Sequence, residues 1–172
     1  MFGRVHPRVA SALNDLGNVA INQDRLDDAE AHFRRIGEIY RSVYGDRHYL
    51  VGIATSNLAG VYLARHDYTT AEKMYRDAVS IFSHAQSPGH LNTGIARIKL
   101  GRSLLRQRRP EEAERESKAG YDIVAKQAAP SVSWLKSARE DLAEAYDALK
   151  RTDEAARFRA EAARVAQASG SR

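Results

Sequence analysis

The sequence predicts an all-α solenoid built from four copies of a helix pair. The chain repeats itself every 42 residues, and each copy holds two segments with apolar residues at helical spacing. No stretch alternates apolar and polar residues as a strand would. A period of this length is typical of arrays in which each unit buries its apolar face against its neighbours. The residues that recur, and that we expect to build the stack, are Ala12, Ala54, Ala96 and Ala138; Leu16, Leu58, Leu100 and Leu142; and Ala29, Ala71, Ala113 and Ala155.

Each copy opens with one amphipathic helix. Leu58 and Tyr62, four residues apart, lie on one face of the helix in the second copy. Small residues in this helix permit close approach of its partner, because a larger side chain would push the two backbones apart: they are Gly17, Ala59, Gly101 and Ala143. Short polar joints then separate the two helices of each pair, at 23–25, 65–67, 107–109 and 150–151.

The second helix of a copy begins with acidic residues, which the positive end of the helix dipole favours. They are Asp27 and Asp28 in the first copy, Glu111 and Glu112 after Pro110 in the third, and Asp153 and Glu154 in the fourth. Glycine and proline end the copies, since neither continues a helix well: Gly45, Pro88 with Gly89, and Pro130.

These residues resemble the tetratricopeptide repeat. The second copy carries the pattern best, with Leu58-Ala59, Tyr62, Tyr68, Ala71-Glu72, Tyr75 and Ala78; Ser117 and Arg159 depart from it at the aromatic position of the last two copies. The family's usual period is 34 residues, and the longer period here is similar to the variant found in kinesin light chains. The resemblance implies a right-handed superhelical solenoid of four helix pairs, a single domain over 1–172 with units at about 6–47, 48–89, 90–131 and 132–172.

The N-terminal segment of the sequence suggests a larger protein. The segment Phe2-Gly3-Arg4-Val5-His6 corresponds to Tyr44-Gly45-Asp46-Arg47-His48 one period later. We therefore expect the N-terminus to continue from a missing upstream repeat, and the chain to be part of a multidomain polypeptide. An uncovered first repeat would expose apolar area that a second copy of the chain could cover. One possible function is therefore that of a structural module that forms homo-oligomers through this repeat; it is the alternative to binding of a peptide or partner helix.

The resemblance also implies where a ligand binds. In this family the first helices of successive repeats line a concave groove that holds extended peptides or partner helices. Asparagine amides both donate to and accept from a peptide backbone, and basic side chains take carboxylates from a C-terminus or from acidic residues. The predicted peptide-binding residues are Asn14, Asn18, Asn57, Lys99, Arg102 and Arg106. The expected function is a non-catalytic protein–protein interaction module with a protein or peptide partner.

The basic residues of the third copy allow two other interpretations. Lys99 with Asp141, and Arg102 with Glu144, occupy equivalent positions one repeat apart, so they could form an ion ladder across the stack. The net charge of +5 lies in the second half of the chain, with six cations and no acid over 97–109. A basic cluster of this kind makes nucleic-acid binding an alternative function. The acids that follow at 111–116 and the dispersed aromatic residues disfavour that binding.

The sequence predicts no catalytic, cofactor or metal site. It has no cysteine and no glycine-rich phosphate loop, and three of its six histidines, His6, His48 and His90, stand one period apart, too far to share an ion. It has neither an apolar run that would span a bilayer nor a secretion signal. We therefore expect a cytoplasmic protein that does not associate with membranes.

Overall fold

The computed structural model describes the chain over residues 6–127 and 132–170, which form four pairs of α-helices and no β-strand. The polar joints predicted between the two helices of a pair lie between helices, whereas the segment before His6 and the predicted stop at Pro130 lie outside the described residues. The predicted all-α class is confirmed. The helices are α1 (Pro7–Asn22), α2 (Leu26–Tyr44), α3 (Tyr49–Ala64), α4 (Tyr68–Ala85), α5 (Leu91–Arg106), α6 (Pro110–Ala125), α7 (Val132–Ala148) and α8 (Thr152–Gly170).

The same turn ends the first helix of every pair. Its central residue has a left-handed backbone, with φ between 58° and 63°. The next residue donates its backbone N–H to the carbonyl oxygen five positions earlier, as Asp67 does to Tyr62 at 2.9 Å. This is the Schellman motif, in which glycine is the usual central residue. Here the central residue is never glycine: it is Asp24, His66, Arg108 or Lys150.

The two helices of a pair approach closely at small residues. A Cβ added to Gly17 would lie 2.7 Å from the Phe33 ring, which confirms the predicted role of that glycine. In the third pair, a Cβ on Gly120 would lie 2.6 Å from the carbonyl oxygen of Gly94. Ser117, which replaces the aromatic residue of the earlier copies, is fully buried there. The small side chain lets α5 and α6 pack closely, since a Cβ added to Gly101 would overlap the Ser117 hydroxyl.

The chain forms two compact units, Met1–Asn92 and Thr93–Arg172. The core of the first unit lies among α1 to α4, where Phe33, Ile36 and Val51 are almost fully buried. The second unit has an aromatic core around Phe158, whose ring stacks on that of Tyr146 at a centroid distance of 5.7 Å.

A tyrosine–glutamate hydrogen bond joins successive pairs within each unit. The Tyr62 hydroxyl on α3 donates to Glu30 on α2 at 2.8 Å, and 84 residues later the Tyr146 hydroxyl on α7 donates to Glu114 on α6 at 2.9 Å. Burial would raise the pKa of Glu30, but hydrogen bonds from Tyr62, Arg34 and Arg65 outweigh it and lower that pKa to about 2. Glu30 is therefore ionised in the folded protein at neutral pH.

One face of α1 carries exposed apolar residues. Leu16 is 52% exposed, whereas the equivalent Leu58 and Leu142 are 8% and 0% exposed. Val19 is 46% exposed, and Ala12 is exposed as well. The expectation that Ala12 and Leu16 are buried in the stack is therefore wrong for this first copy, because no described helix precedes α1 to cover them. No helix in the described part of the chain is long and apolar enough to cross a membrane.

Candidate functional site

Three of the six predicted binding residues lie along α5. Lys99, Arg102 and Arg106 are three and four positions apart, so they share one face of that helix. Helix α7 brings aromatic, hydroxyl and acidic side chains against this face. We call these residues the α5–α7 cluster: Lys99, Arg102 and Arg106 on α5, with Trp134, Ser137, Asp141 and Glu144 on α7.

The two arginines of the cluster are paired. Arg102 Nε donates to Asp141 Oδ1 at 3.0 Å, and a second N–H of Arg102 donates to the Ser137 hydroxyl. Arg106 donates to Glu144 Oε1 at 2.9 Å. An ion ladder therefore exists, but the predicted partners are wrong by one helical turn. Side chains lean toward the N-terminus of their helix, and the longer arginine therefore reaches the acid one turn earlier.

Lys99 has no acidic partner among the described residues. Its ammonium nitrogen lies 5.1 Å from the centre of the Trp134 ring, at the distance of a cation–π contact. Burial, together with the nearby charge of Arg102, lowers the pKa of Lys99 to about 8. Asp141, 3% exposed, has its pKa raised by burial, which the hydrogen bond from Arg102 opposes. Lys99 thus differs from the two arginines of the cluster, which are both paired with acids.

The predicted asparagines lie in the first unit. The Asn57 amide on α3 donates to Asn14 Oδ1 on α1 at 2.9 Å, so two of the three predicted residues are brought together. The pair still has the carbonyl oxygen of Asn57 and the amide N–H groups of Asn14 for other partners. Asn18 is exposed one turn further along α1, and no described side chain hydrogen-bonds to it.

The other basic residues of the third copy also face acids. Arg97 donates to Glu116 at 2.5 Å, and Arg109 donates to Glu112 at 2.6 Å. With Arg102 and Arg106 paired as well, most of the positive charge over 97–109 is balanced nearby. A nucleic-acid backbone needs such cations unpaired. Among the described residues, no group of three histidine, aspartate or glutamate side chains could hold a metal ion.

Sequence reasoning missed Trp134. It is the single tryptophan of the chain, and the equivalent positions of the other copies hold Arg8, Leu50 and Asn92. That departure from the period was the available signal, because a large aromatic residue at a position otherwise variable is not needed for stacking the repeats.

The profile of the tetratricopeptide repeat family matches residues 8–83 and 50–126, which together span more than half of the chain. The chain belongs to the tetratricopeptide repeat family. Repeats of this family generally mediate protein–protein interactions, and the fold is typically a non-catalytic scaffold. The predicted family is therefore confirmed, and the coarse part of the predicted function with it.

Two relatives of this tetratricopeptide repeat chain are similar over part of its length. The RxLR effector protein SFI4 of Phytophthora infestans is 33% identical over 67 residues, which cover 39% of this chain and 20% of that protein. The human mitochondrial tetratricopeptide repeat protein 19 is 30% identical over 77 residues, covering 45% of this chain and 20% of that protein. The matched part thus spans about a fifth of the length of these curated relatives.

Solved structures show the same fold over nearly the whole chain. BtubC (BKLC) from P. vanneervenii aligns with a TM-score of 0.83 at 16% identity, covering 96% of this chain and 66% of that one. A putative kinesin light chain with nearly identical TPR-like repeats from Podosopora anserina aligns with a TM-score of 0.70 at 20% identity, covering 100% and 81%. At these identities the likeness concerns the fold alone. The predicted solenoid of helix pairs is confirmed.

Proposed function

We propose that this chain is a non-catalytic module that binds an acidic peptide segment of a partner protein. The binding surface is formed by the first helix of each helix pair. The observation that carries the proposal is the position of Lys99, a half-buried cation beside Trp134 with no acid among the described residues to pair with it. Desolvating a charge without a partner costs free energy. A ligand carboxylate placed at Lys99 would recover that cost, because it would hold the lysine in its charged form.

The paired arginines give the same surface its selectivity. Arg102 is bound to Asp141 and Ser137, so it stays in place without a ligand. Asp141 and Glu144 repel a second carboxylate placed beside them. The α5–α7 cluster therefore favours one carboxylate at Lys99, from a C-terminus or from a single acidic side chain, over a continuous run of anions.

The asparagine pair of the first unit supports binding of an extended backbone. Asn57 and Asn14 present an acceptor and donors side by side, the combination with which an amide meets the C=O and N–H of a peptide bond. Asn18 extends this polar surface along α1, and its role in binding stays a prediction.

The test is the affinity of a fluorescein-labelled alanine peptide that carries one aspartate and an amidated C-terminus. Measured by fluorescence anisotropy, Lys99→Met should bind this peptide about tenfold more weakly than wild type, the usual cost of a lost charge-assisted hydrogen bond. The matched control is Lys136→Met on α7, whose side chain is 67% exposed and lies 3.9 Å from Glu140. Affinity should also fall as the pH rises through about 8, where Lys99 loses its charge. Equal affinity of wild type and Lys99→Met would contradict the proposal.

The exposed face of α1 favours a second candidate function, self-association. Leu16 and Val19, about half exposed, together with Ala12 form an apolar stripe of the kind that marks an interface. Light scattering at increasing protein concentration tests it, with Leu16→Glu as the variant and Val43→Glu, on an exposed valine of α2, as the control. A dimer that Leu16→Glu alone disrupts would support self-association, and a wild-type monomer at all concentrations would exclude it.

A further inference from the structure

A cleft in the first unit lies among α2, α3 and α4. Its cavity volume is about 230 Å³. Its lining combines apolar residues, among them Phe33, Leu58 and Met74, with Gly37 and three charged residues, Arg34, Glu38 and Arg41. One terminal guanidinium nitrogen of Arg41 lies 3.1 Å from the position that a Cβ added to Gly37 would take.

The second unit has the equivalent site, 84 residues later, filled by the chain itself. The ring of Tyr121 lies edge-on to Phe158 at a centroid distance of 5.7 Å, and the Arg139 guanidinium lies 5.3 Å from the centre of the same ring. The Tyr121 hydroxyl donates a hydrogen bond to Glu161 at 3.0 Å. An aromatic ring, a cation at its face and an acid at its hydroxyl therefore form one built arrangement in this unit.

The first unit keeps the surroundings of this arrangement and lacks the ring. Gly37 stands where the second unit has Tyr121, and Met74 stands where it has Phe158. The acid is retained, because Asp77 is the equivalent of Glu161 and lines the adjoining part of the cleft, which shares Arg41 and Met74. No described side chain hydrogen-bonds to Asp77. A cation is retained as well, although Arg41 supplies it from α2 where Arg139 supplies it from α7.

We propose that this cleft binds the side chain of a tyrosine from a protein partner. A single aromatic ring fits the volume, since an apolar cavity of about 150 Å³ is known to hold benzene. The Met74 sulfur and the Arg41 guanidinium are both groups that contact aromatic rings favourably. The Asp77 carboxylate gives the hydroxyl an acceptor, which distinguishes tyrosine from phenylalanine. This site is separate from the α5–α7 cluster, so its test is independent of the proposed acidic peptide.

The sharpest probe is the methyl group of Met74. The chain has two methionines, so protein labelled with ¹³C at the methionine methyl groups gives one signal from the cleft and a reference signal from Met1. Titration with p-cresol, the tyrosine side chain, should shift the Met74 signal through the ring current and saturate in the millimolar range expected for so small a ligand. N-acetyltyrosinamide, which adds the peptide backbone, should shift the same signal.

Two substitutions locate the binding. Gly37→Tyr recreates the second unit, and its Cβ displaces only the flexible end of Arg41; the Met74 signal should then be shifted without ligand and move no further. Asp77→Ala should weaken p-cresol binding by roughly fivefold, the effect of an exposed charge-assisted hydrogen bond, and leave 4-methylanisole, which lacks the hydroxyl proton, unchanged. Asp15→Ala, an exposed acid on α1, is the control.

The reciprocal variant covers the case in which Gly37→Tyr does not fold. Tyr121→Gly should open the second site, and p-cresol should then raise its unfolding temperature more than that of wild type. The proposal is overturned by an unmoved Met74 signal in wild type, by equal p-cresol shifts in folded Gly37→Tyr, or by equal p-cresol stabilisation of Tyr121→Gly and wild type. Binding of p-cresol without binding of N-acetyltyrosinamide overturns the assignment to a partner's tyrosine.

Discussion

Replacing Lys99 by methionine should stabilise the free protein at pH 7. Burial and the nearby Arg102 lower the pKa of Lys99 from 10.5 to about 8, and each pKa unit corresponds to about 1.4 kcal/mol. The charged lysine therefore costs the folded state up to about 3 kcal/mol. Methionine keeps an apolar stem against Trp134 and gives up a cation–π contact worth about 1 kcal/mol. The expected net gain in the free energy of unfolding is about 2 kcal/mol.

The gain should depend on pH in a defined direction. The folded-state pKa of Lys99 lies below the unfolded value, so between about pH 8 and 10.5 the unfolded chain holds a proton that the folded protein has released. Wild-type stability therefore rises with pH across this window. The advantage of Lys99→Met is fully present below pH 8 and shrinks toward pH 10.5. Taking the difference between variant and wild type cancels the titration of the tyrosines in the same range.

Urea unfolding followed by far-ultraviolet circular dichroism at pH 7 and pH 10 measures both quantities. Lys136→Met, at an exposed lysine on α7, should change stability by less than about 0.5 kcal/mol at either pH. A Lys99→Met protein less stable than wild type at pH 7 would refute the reasoning, since it would mean that the lysine has a stabilising partner. So would a stability difference that is the same at both pH values.

Three further substitutions test the scaffold. Glu30→Gln should cost about 2 kcal/mol at pH 7 by thermal unfolding. Because the folded-state pKa of Glu30 is lowered, wild type should lose this stability as the pH falls from about 4.5 to about 2, while the variant loses less. Equal acid sensitivity of the two proteins would contradict this prediction. Arg108→Gly, at a left-handed backbone position, should raise the free energy of unfolding by about 0.5 kcal/mol. The control Arg115→Gly, inside α6, should lower it by about 1 kcal/mol. A destabilised Arg108→Gly protein would argue against backbone strain at that position. Ala71→Leu should cost roughly 1 to 3 kcal/mol by overpacking a fully buried position, and an unchanged unfolding midpoint would mean that α3 and α4 can separate.

The sequence predicted the parts of the fold that depend on residue type. Periodic alanines and glycines mark close packing, so the helix pairs and joints could be located before the structure. The left-handed residue of each joint could not, because Asp24, His66, Arg108 and Lys150 share no chemistry and none is the glycine usual at that place. The hydrogen bonds of the Schellman motif hold these residues there, and they depend on backbone geometry alone.

The candidate site was predicted less completely, for a physical reason. A 42-residue step identifies equivalent backbone positions, but contacts between neighbouring helices depend on where side chains of different length end. Arginines that lean back along α5 reach acids one turn earlier than the step predicts, which pairs Arg102 with Asp141 and leaves Lys99 beside Trp134. Only the three-dimensional structure distinguishes these two pairings, and the observed one leaves Lys99 without an acidic partner among the described residues.

Departures from the period separate what the repeat needs from what a ligand needs. At one position the four copies hold Asp15, Asn57, Lys99 and Asp141. Within their units Asn57 donates to Asn14, and one carboxylate oxygen of Asp141 accepts a hydrogen bond from Arg102. A lysine is therefore not required for stacking at this position, and its desolvation opposes folding. A residue that the fold does not need, and that costs stability, is what the proposed contact with an acidic peptide would require at this position.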